Sequence, residues 1–464
     1  MRKNFKYIVY SGMLVGTLTA SSCKKDFFNQ PPATSIDATD ALKADADVLT
    51  ALTGTYAGLR SSTLFGRAIP LLGDLMADNV FTSSRNSGRY TQNNNYSYVI
   101  NNADVLGVWQ NAYMVILRAN NVINSTPVVT SQANVNQYKG EAYAIRALMY
   151  FELVKAFARP YTDNPSGPGV PIVLNFDINN KPGRATVQQV YDQIAADLDK
   201  AFTLMTINQS ASRFSKYGAL ALSAKVNLFK GTPASYQLAY DQAKSVIANS
   251  GRALLTTGNF SNYWTAVTPQ TYETLFEVIS DQIDNAGFDE LPYFYSQSGY
   301  GDGLTTKAFY DTFSATDLRK TLITVGSRVR AENPAYIINK ISNTKDYGGK
   351  KILRISDMYL IAAEAGYNLG TADATTLLQT LVAQRDPAST VTETGPALLE
   401  RILTERRKEL AFEGDRYPTL TRLKRDITGR NSSVSSVLYT NFKRIFPIPQ
   451  SELDRNPMVQ NTGW

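Results

Sequence analysis

The stretch Ala397–Tyr417, ALLERILTERRKELAFEGDRY, constrains this chain more than any other. Leu399, Ile402, Leu403, Leu410 and Ala411 recur at helical spacing, which makes one face of a helix apolar. Arg406 falls on the same stripe, so its guanidinium must sit in or beside the core. A buried cation needs a carboxylate, because stranding it costs about 3–5 kcal/mol. Glu405, Glu409 and Glu413 are the local candidates for Arg406, and Glu364 is a distant one. The favoured reading is a structural ion-pair network on a packed helix; a catalytic carboxylate is the alternative. Gly414 is expected to cap the helix, with Asp415-Arg416-Tyr417 beginning the exit.

A second block, Gly140–Tyr161, repeats the pattern. Tyr143, Arg146, Met149, Tyr150, Leu153 and Phe157 form one stripe, and Ala147–Val154 is nearly apolar all round, as in a helix buried within a stack. Arg146 again needs a carboxylate. Further helices are predicted over Val48–Arg60, Leu106–Ile123, Gly218–Phe229 and Tyr236–Ser250, with Thr186 as the N-cap of another running to Met205. Trp109, at helical spacing, reads as core. Two stretches differ. Asp74–Tyr98 is a polar-aromatic loop, and Leu255–Lys351 is rich in Tyr, Gly, Asn and Asp with few helical stripes and one short strand at Phe276–Ile279. Lys351–Gly370 returns to helix with Arg354, Asp357 and Glu364 on one face, which predicts pairing with one another or with the Arg406 helix.

These blocks carry a resemblance. ERRKELAFEGDRY, the helix G-E-A-Y-A-I-R-A at Gly140–Ala147, L-R-I-S-D-M-Y-L-I-A-A-E-A at Leu353–Ala365, and the ending Pro447-Ile448-Pro449…Asn456-Pro457…Gln460-Asn461…Gly463-Trp464 resemble the motifs of the SusD/RagB family. Its members are surface lipoproteins of Bacteroidetes that feed glycans or peptides to a TonB-dependent transporter. One departure is Pro418-Thr419-Leu420, where many members have an Asp before Leu. The resemblance implies a mainly α, tetratricopeptide-like helical-repeat scaffold, because no clean repeat consensus is legible in the chain itself. It also implies an irregular loop-rich subdomain carrying ligand-binding loops. The expected organisation is a signal peptide at 1–22, a lipidated N-terminus and tether at 23–47, an N-terminal helical part at 48–254, the loop-rich subdomain at 255–351 and a C-terminal helical part at 352–464, all one folded unit.

The N-terminus fits that picture. Arg2, Lys3 and Lys6 form a basic region, Tyr7–Ala20 is apolar but short for a membrane span, and Ala20-Ser21-Ser22-Cys23 reads as a lipobox. Cys23, the single cysteine, is thus the expected acylation site, and acyl chains there would anchor the protein without spanning the bilayer. Asp26, behind two lysines, is a weak version of the acidic export signal of this phylum, so an outward-facing position in the outer membrane rests on the resemblance. Loss of the leader lowers the formal charge from +7 to +4, too little and too scattered for nucleic acid.

The chain has no histidine, which excludes Ser-His-Asp, Cys-His and His-zinc chemistry. No cofactor is implied. No Asp-x-Asp-x-Asp-Gly calcium loop is present, and a surface ion held by scattered Asp and Asn stays open. A glycosidase-like carboxylate pair is the remaining enzymatic option. The acidic residues of the strongest motifs lie beside arginines, which lower a carboxylate's pKa, the wrong direction for a general acid. The expectation is therefore no enzyme. Tyr, at 27 residues, exceeds Phe at 20 and Trp at 3, and combines a flat apolar face with a polar tip suited to sugar rings. Asp78, Arg85, Tyr90 and Tyr96 in the first loop, and Tyr293, Tyr295 and Tyr300 in the second, are the candidate ligand-binding residues. The expected ion-pair residues are Arg146, Arg354, Asp357, Glu364, Arg406, Glu409 and Glu413. With the resemblance, the expected function is capture of oligosaccharides and delivery, as a hinged lid, to a SusC-like TonB-dependent transporter. A RagB-like peptide-binding role and a carboxylate-based surface hydrolase are the alternatives.

Overall fold

The computed structural model describes residues 41–177, 179–206, 210–341 and 347–464. Cys23, the leader and most of the expected tether lie outside the described residues. Helices dominate, and they pack as a chain of neighbours. Asp45–Leu59 lies on Ala103–Asn124, which lies on Gln132–Phe157, which lies on Val187–Leu204. Lys216–Lys230 and Pro233–Asn249 follow, and Ile355–Leu369 then packs directly on Pro233–Asn249, bypassing the whole stretch between them. This is a tetratricopeptide-like helical stack, in which each helix buries its face against the one before and the one after. Among the described residues no helix is long and apolar enough to cross a membrane.

Local chemistry explains the helix boundaries. Asn102, Thr186, Ser215 and Thr232 each accept a backbone N–H of the first turn, and Pro233 follows its cap where no donor is needed. Gly231 and Gly370 end their helices at φ +67° and +73°, a backbone conformation that costs a glycine little. Gln132–Phe157 is apolar all round because it sits in the middle of the stack, touching helices on several sides. Trp109 is core, with ring centroids 5.0 Å from Tyr113 and 4.9 Å from Phe157.

Gly414 is not the cap the sequence suggested. The helix runs Gly395–Glu409 and closes at Leu410, and Arg416–Arg422 is a new helix rather than an exit. Gly414, at φ +85°, serves a backbone crossing instead: a Cβ on Gly73 would lie 2.1 Å from its carbonyl oxygen, and its own Cβ would lie 2.7 Å from Pro70 Cα.

The loop-rich region holds two small antiparallel sheets. In the first, β1 (Val80–Thr82), β3 (Gly303–Thr305), β5 (Ala335–Ile338) and β4 (Ile323–Gly326) stand in that order, with Phe81 opposite Leu304 and Leu304 opposite Ile337. Phe81, Leu304, Ala335 and Ile337 make its small apolar cluster. β1 belongs to the first polar-aromatic loop, so this sheet joins that loop to the later one. The second sheet pairs β2 (Thr274–Val278) with β6 (Lys350–Arg354) and leads straight into Ile355–Leu369.

β2 and β6 deliver charges to the core. Glu273, just before β2, and Arg354 meet Arg385 and Glu409 from the C-terminal helices. Arg319 adds bonds to Asp317, Glu405 and Glu409; Arg354 also binds Glu413, which receives Lys340. Lys408 lies at the edge of the same cluster, beside Glu405 and Asp317. Burial pushes the Glu409 carboxyl up, but the charges of Arg385, Arg354 and Arg319 outweigh it and hold it well below the usual range.

Arg406 is buried, but its partners are not those nearest in sequence. It donates to both oxygens of Asp415 (2.8 and 2.6 Å) and to Asp357 (3.0 Å), whereas Glu405, Glu409 and Glu413 turn to the Arg319–Arg354–Arg385 cluster. Glu364 likewise goes to Arg422, at 2.6 and 2.7 Å. The physical reason is the break at Leu410: it folds Asp415 back under Arg406, nine residues on. Arg146 pairs with Asp197 of the neighbouring helix at 2.6 Å and with Asn120 at 2.8 Å.

Candidate functional site

The four-stranded sheet positions two loops side by side. Residues 83–90 leave β1, and residues 296–302 lead into β3, the strand beside it. The loops are clipped together: Ser83 N donates to Asp302 O at 2.7 Å, and Ser87 N and Oγ donate to the Asp302 carboxylate. Loop 327–332, between β4 and β5, closes the third side. Arg328 donates to Arg85 O (3.1 and 2.5 Å), Tyr300 O (2.9 Å) and Gln297 Oε1 (3.1 Å), and Arg85 donates back to Val329 O at 3.1 Å. Glu332 accepts from Ser83 Oγ and Ser84 N, both at 2.8 Å.

Across this assembly runs a line of rings. Phe288, exposed, lies 5.0 Å from Tyr293, which lies edge-on to Tyr300 at 4.8 Å. The Arg89 guanidinium sits 3.8 Å from the Tyr300 ring centroid and donates to its hydroxyl at 2.7 Å. Tight turns make the row possible: a Cβ on Gly299 would lie 2.5 Å from Tyr293 O, and Gly301 adopts φ +58° with Arg328 against it. Such a row offers apolar ring surfaces at successive tilts of 52° and 85°, flanked by fixed donors. That arrangement can bind a ligand with alternating C–H faces and hydroxyls.

The candidates from sequence separate cleanly. Arg85, Tyr293 and Tyr300 lie together on this surface. Asp78, Tyr90, Tyr96 and Tyr295 do not, and are corrected to internal roles. Asp78 is buried between Arg416 (2.7 and 2.9 Å) and Arg407 (3.1 Å); burial raises its pKa, but these arginines bring the net below the usual carboxylate value. Tyr90 and Tyr96 are each 6% exposed, their hydroxyls held by Arg67 and by Met76 O. Tyr295 is fully buried against Phe294 and Phe412. For the three tyrosines the cause is that a large ring buries more area in the core than on the surface; Asp78 is held inside by its two arginines. Phe288, Arg89, Gln297 and Arg328 belong to the surface although the sequence did not single them out as ligand contacts. Proximity of Phe288 to Tyr293, and of Arg89 to Arg85, was the available signal for two of them.

Among the described residues no group of His, Cys, Asp or Glu is arranged to hold a metal ion. The carboxylates of this face, Asp302 and Glu332, are both engaged by serine and backbone donors. For Glu332, burial raises the pKa, but the bonds from Ser84 and Ser83 leave it below the usual range.

The chain is thus a helical stack that presents aromatic loops on a small sheet. Residues 37–228 match a family described as SusD-like, starch-binding and associating with the outer membrane, and residues 324–464 match the SusD family itself. SusD-like protein P2 of Formosa agariphila is 28% identical, over 91% of this chain and 93% of its own length. Crystal structures of SusD superfamily proteins from Bacteroides vulgatus and Bacteroides thetaiotaomicron superpose with TM-scores of 0.84 and 0.82, each 27% identical. They cover 91% and 90% of this chain and 99% of their own. The chain belongs to the SusD/RagB family, whose members are binding proteins of the outer-membrane surface in Bacteroidetes.

Proposed function

We propose that this protein is an outward-facing outer-membrane lipoprotein, acylated at Cys23, that captures oligosaccharides on the Phe288–Tyr293–Tyr300–Arg89 row. It then delivers them, as a hinged lid, to a SusC-like TonB-dependent transporter. The observation that carries the reading is the row itself: a cluster of aromatic rings with guanidinium donors at one end, the combination of apolar surface and fixed donors that sugars use. The description of the matching family as starch-binding supports the same cargo class. Closure of the lid follows if ligand contacts both partners, since only a ligand that binds the closed state better can shift the population. A lid interface of the obligate kind buries over roughly 2,000 Å².

Catalysis is not part of this role. The motif carboxylates are neutralised inside the stack, and those of the ligand face are committed to serines. Peptide uptake is the competing reading, and would use the open edge of β4, where Thr324 and Val325 are exposed. Calorimetry on the soluble chain lacking residues 1–23 decides between them, with oligosaccharide and peptide panels and product analysis. Saturable glycan binding without cleavage is expected. Binding of peptides alone, or turnover of a glycan, would overturn the reading.

A further inference from the structure

The ligand face carries more positive charge than its carboxylates answer. Arg85, Arg89 and Arg328 meet on it from two loops, with Arg330 exposed two residues beyond Arg328, against Asp302 and Glu332. Both carboxylates are already bound: Asp302 by Ser87 N at 3.1 Å and by the Ser87 hydroxyl, Glu332 by Ser83 and Ser84. Arg328 comes no closer than 3.9 Å to Asp302. Among the described residues Arg85, Arg89 and Arg330 have no carboxylate within salt-bridge distance. This contrasts with the interior, where Arg319, Arg354, Arg385 and Arg406 each meet at least two carboxylates.

The like charges are also held close on purpose-built acceptors. Arg328 grips the carbonyl of Arg85 and lies 3.9 Å from Asp302, and Arg85 grips the carbonyl of Val329, so a main-chain oxygen orients the Arg85 guanidinium without neutralising it. Arg89 is oriented by the Tyr300 ring and Ser87 Oγ. Each guanidinium has five N–H donors; Arg85 commits one and Arg89 two, so both keep several free, whereas Arg328 is spent on holding the loops. Arg330 is exposed, at φ +60°, with no hydrogen-bond partner among the described residues. Clustered, oriented and unneutralised guanidiniums suit planar or tetrahedral oxyanions, which they bind bidentately.

From this we infer that the glycan taken by this face is anionic, bearing uronate carboxylates or sulfate esters, with the rings stacking on Tyr293 and Tyr300 and the acidic groups on the arginines. The inference rests on the glycan reading above but can fail separately from it. Two matched pairs test it with the chain lacking residues 1–23: oligogalacturonates against the same oligomers carboxyl-reduced, and carrageenan oligosaccharides against their desulfated forms. The expected result is that at least one charged member binds about tenfold or more tighter than its neutral partner at low salt. The advantage shrinks as ionic strength rises, because these are exposed charges. In the Arg85→Gln/Arg330→Gln variant the charged-to-neutral ratio falls towards one, while circular dichroism and the unfolding midpoint, read separately, report that the chain is folded. The uronate and sulfate arms then distinguish the two sources of charge. Equal affinity for charged and neutral members, or tighter binding of the neutral ones, overturns the inference and leaves the glycan reading standing. Binding of no oligosaccharide in either pair also overturns the inference, and the glycan reading then stands or falls on the wider oligosaccharide and peptide panels.

Discussion

Replacing Glu409 by Gln tests whether the buried charge cluster holds the fold together. Its carboxylate accepts from Arg385 at 3.0 and 3.1 Å, from Arg354 at 2.8 Å and from Arg319 at 3.5 Å, and it is 2% exposed. Gln keeps the shape and one acceptor but removes the charge that three guanidiniums share. Each cation retains other partners: Glu273 for Arg385, Glu273 and Glu413 for Arg354, Asp317 and Glu405 for Arg319. The expected loss therefore falls at the lower end of the range for a broken buried pair, about 3 kcal/mol. That is a large share of a folding stability of about 5–15 kcal/mol. Urea unfolding of the chain lacking residues 1–23, at neutral pH, measures it. The control is Glu400→Gln, whose partner Arg425 and own side chain are 37% and 59% exposed, so solvent screening limits its cost to at most about 1 kcal/mol. Because Glu409 is held below its ordinary 4.5, its contribution is present above that pH and is lost as pH falls through the lower folded value. The variant should accordingly lose less stability than wild type on acidification. If Glu409→Gln costs no more than Glu400→Gln, the cluster is not a determinant of stability and the argument fails.

Other outcomes follow from the same geometry. Tyr293→Ala and Tyr300→Ala should each weaken glycan binding roughly tenfold, the worth of one lost ring face, read by calorimetry without change in the unfolding midpoint. Tyr295→Phe should leave binding untouched and stability unchanged or raised by up to about 1 kcal/mol, since the buried Tyr295 hydroxyl has no hydrogen-bond partner among the described residues. Gly73→Ala should cost about 1–3 kcal/mol or more in urea unfolding, because its Cβ would collide with the Gly414 carbonyl. Asp74, buried and pushed up to about 6 mainly by burial, contributes stability that is present below pH 3.8 and is lost as pH rises through 6. Asp74→Asn should flatten the stability profile across that interval.

Much of the scaffold was legible in the chain. Periodicity marked the helices, and Arg146 and Arg406 announced buried pairs because a cation on an apolar stripe has no other solution. The identity of the partners was less legible. Asp415 and Asp197 reach their arginines through a chain reversal and a neighbouring helix, and neither relation leaves a spacing signal. The ligand face was half legible. Composition singled out two loops that the sheet brings together, but a tyrosine reads alike in sequence whether it is half-buried, as Tyr293 is, or in the core, as Tyr295 is two residues later. Only the short helix Leu291–Tyr295, turning one ring in and the other out, separates them.

The contacts that hold the recognition loops to one another fall largely on main-chain atoms: Arg328 on the carbonyls of Arg85 and Tyr300, Arg85 on that of Val329, Ser83 N on that of Asp302. A carbonyl is present whatever side chain grows beside it. The accepting residues, such as Tyr300 and Val329, can therefore be exchanged over generations while the Arg328 and Arg85 donors keep the loops latched. A lineage carrying this architecture can drift from one nutrient to another by altering what protrudes, while the latch and the stack beneath stay as they are.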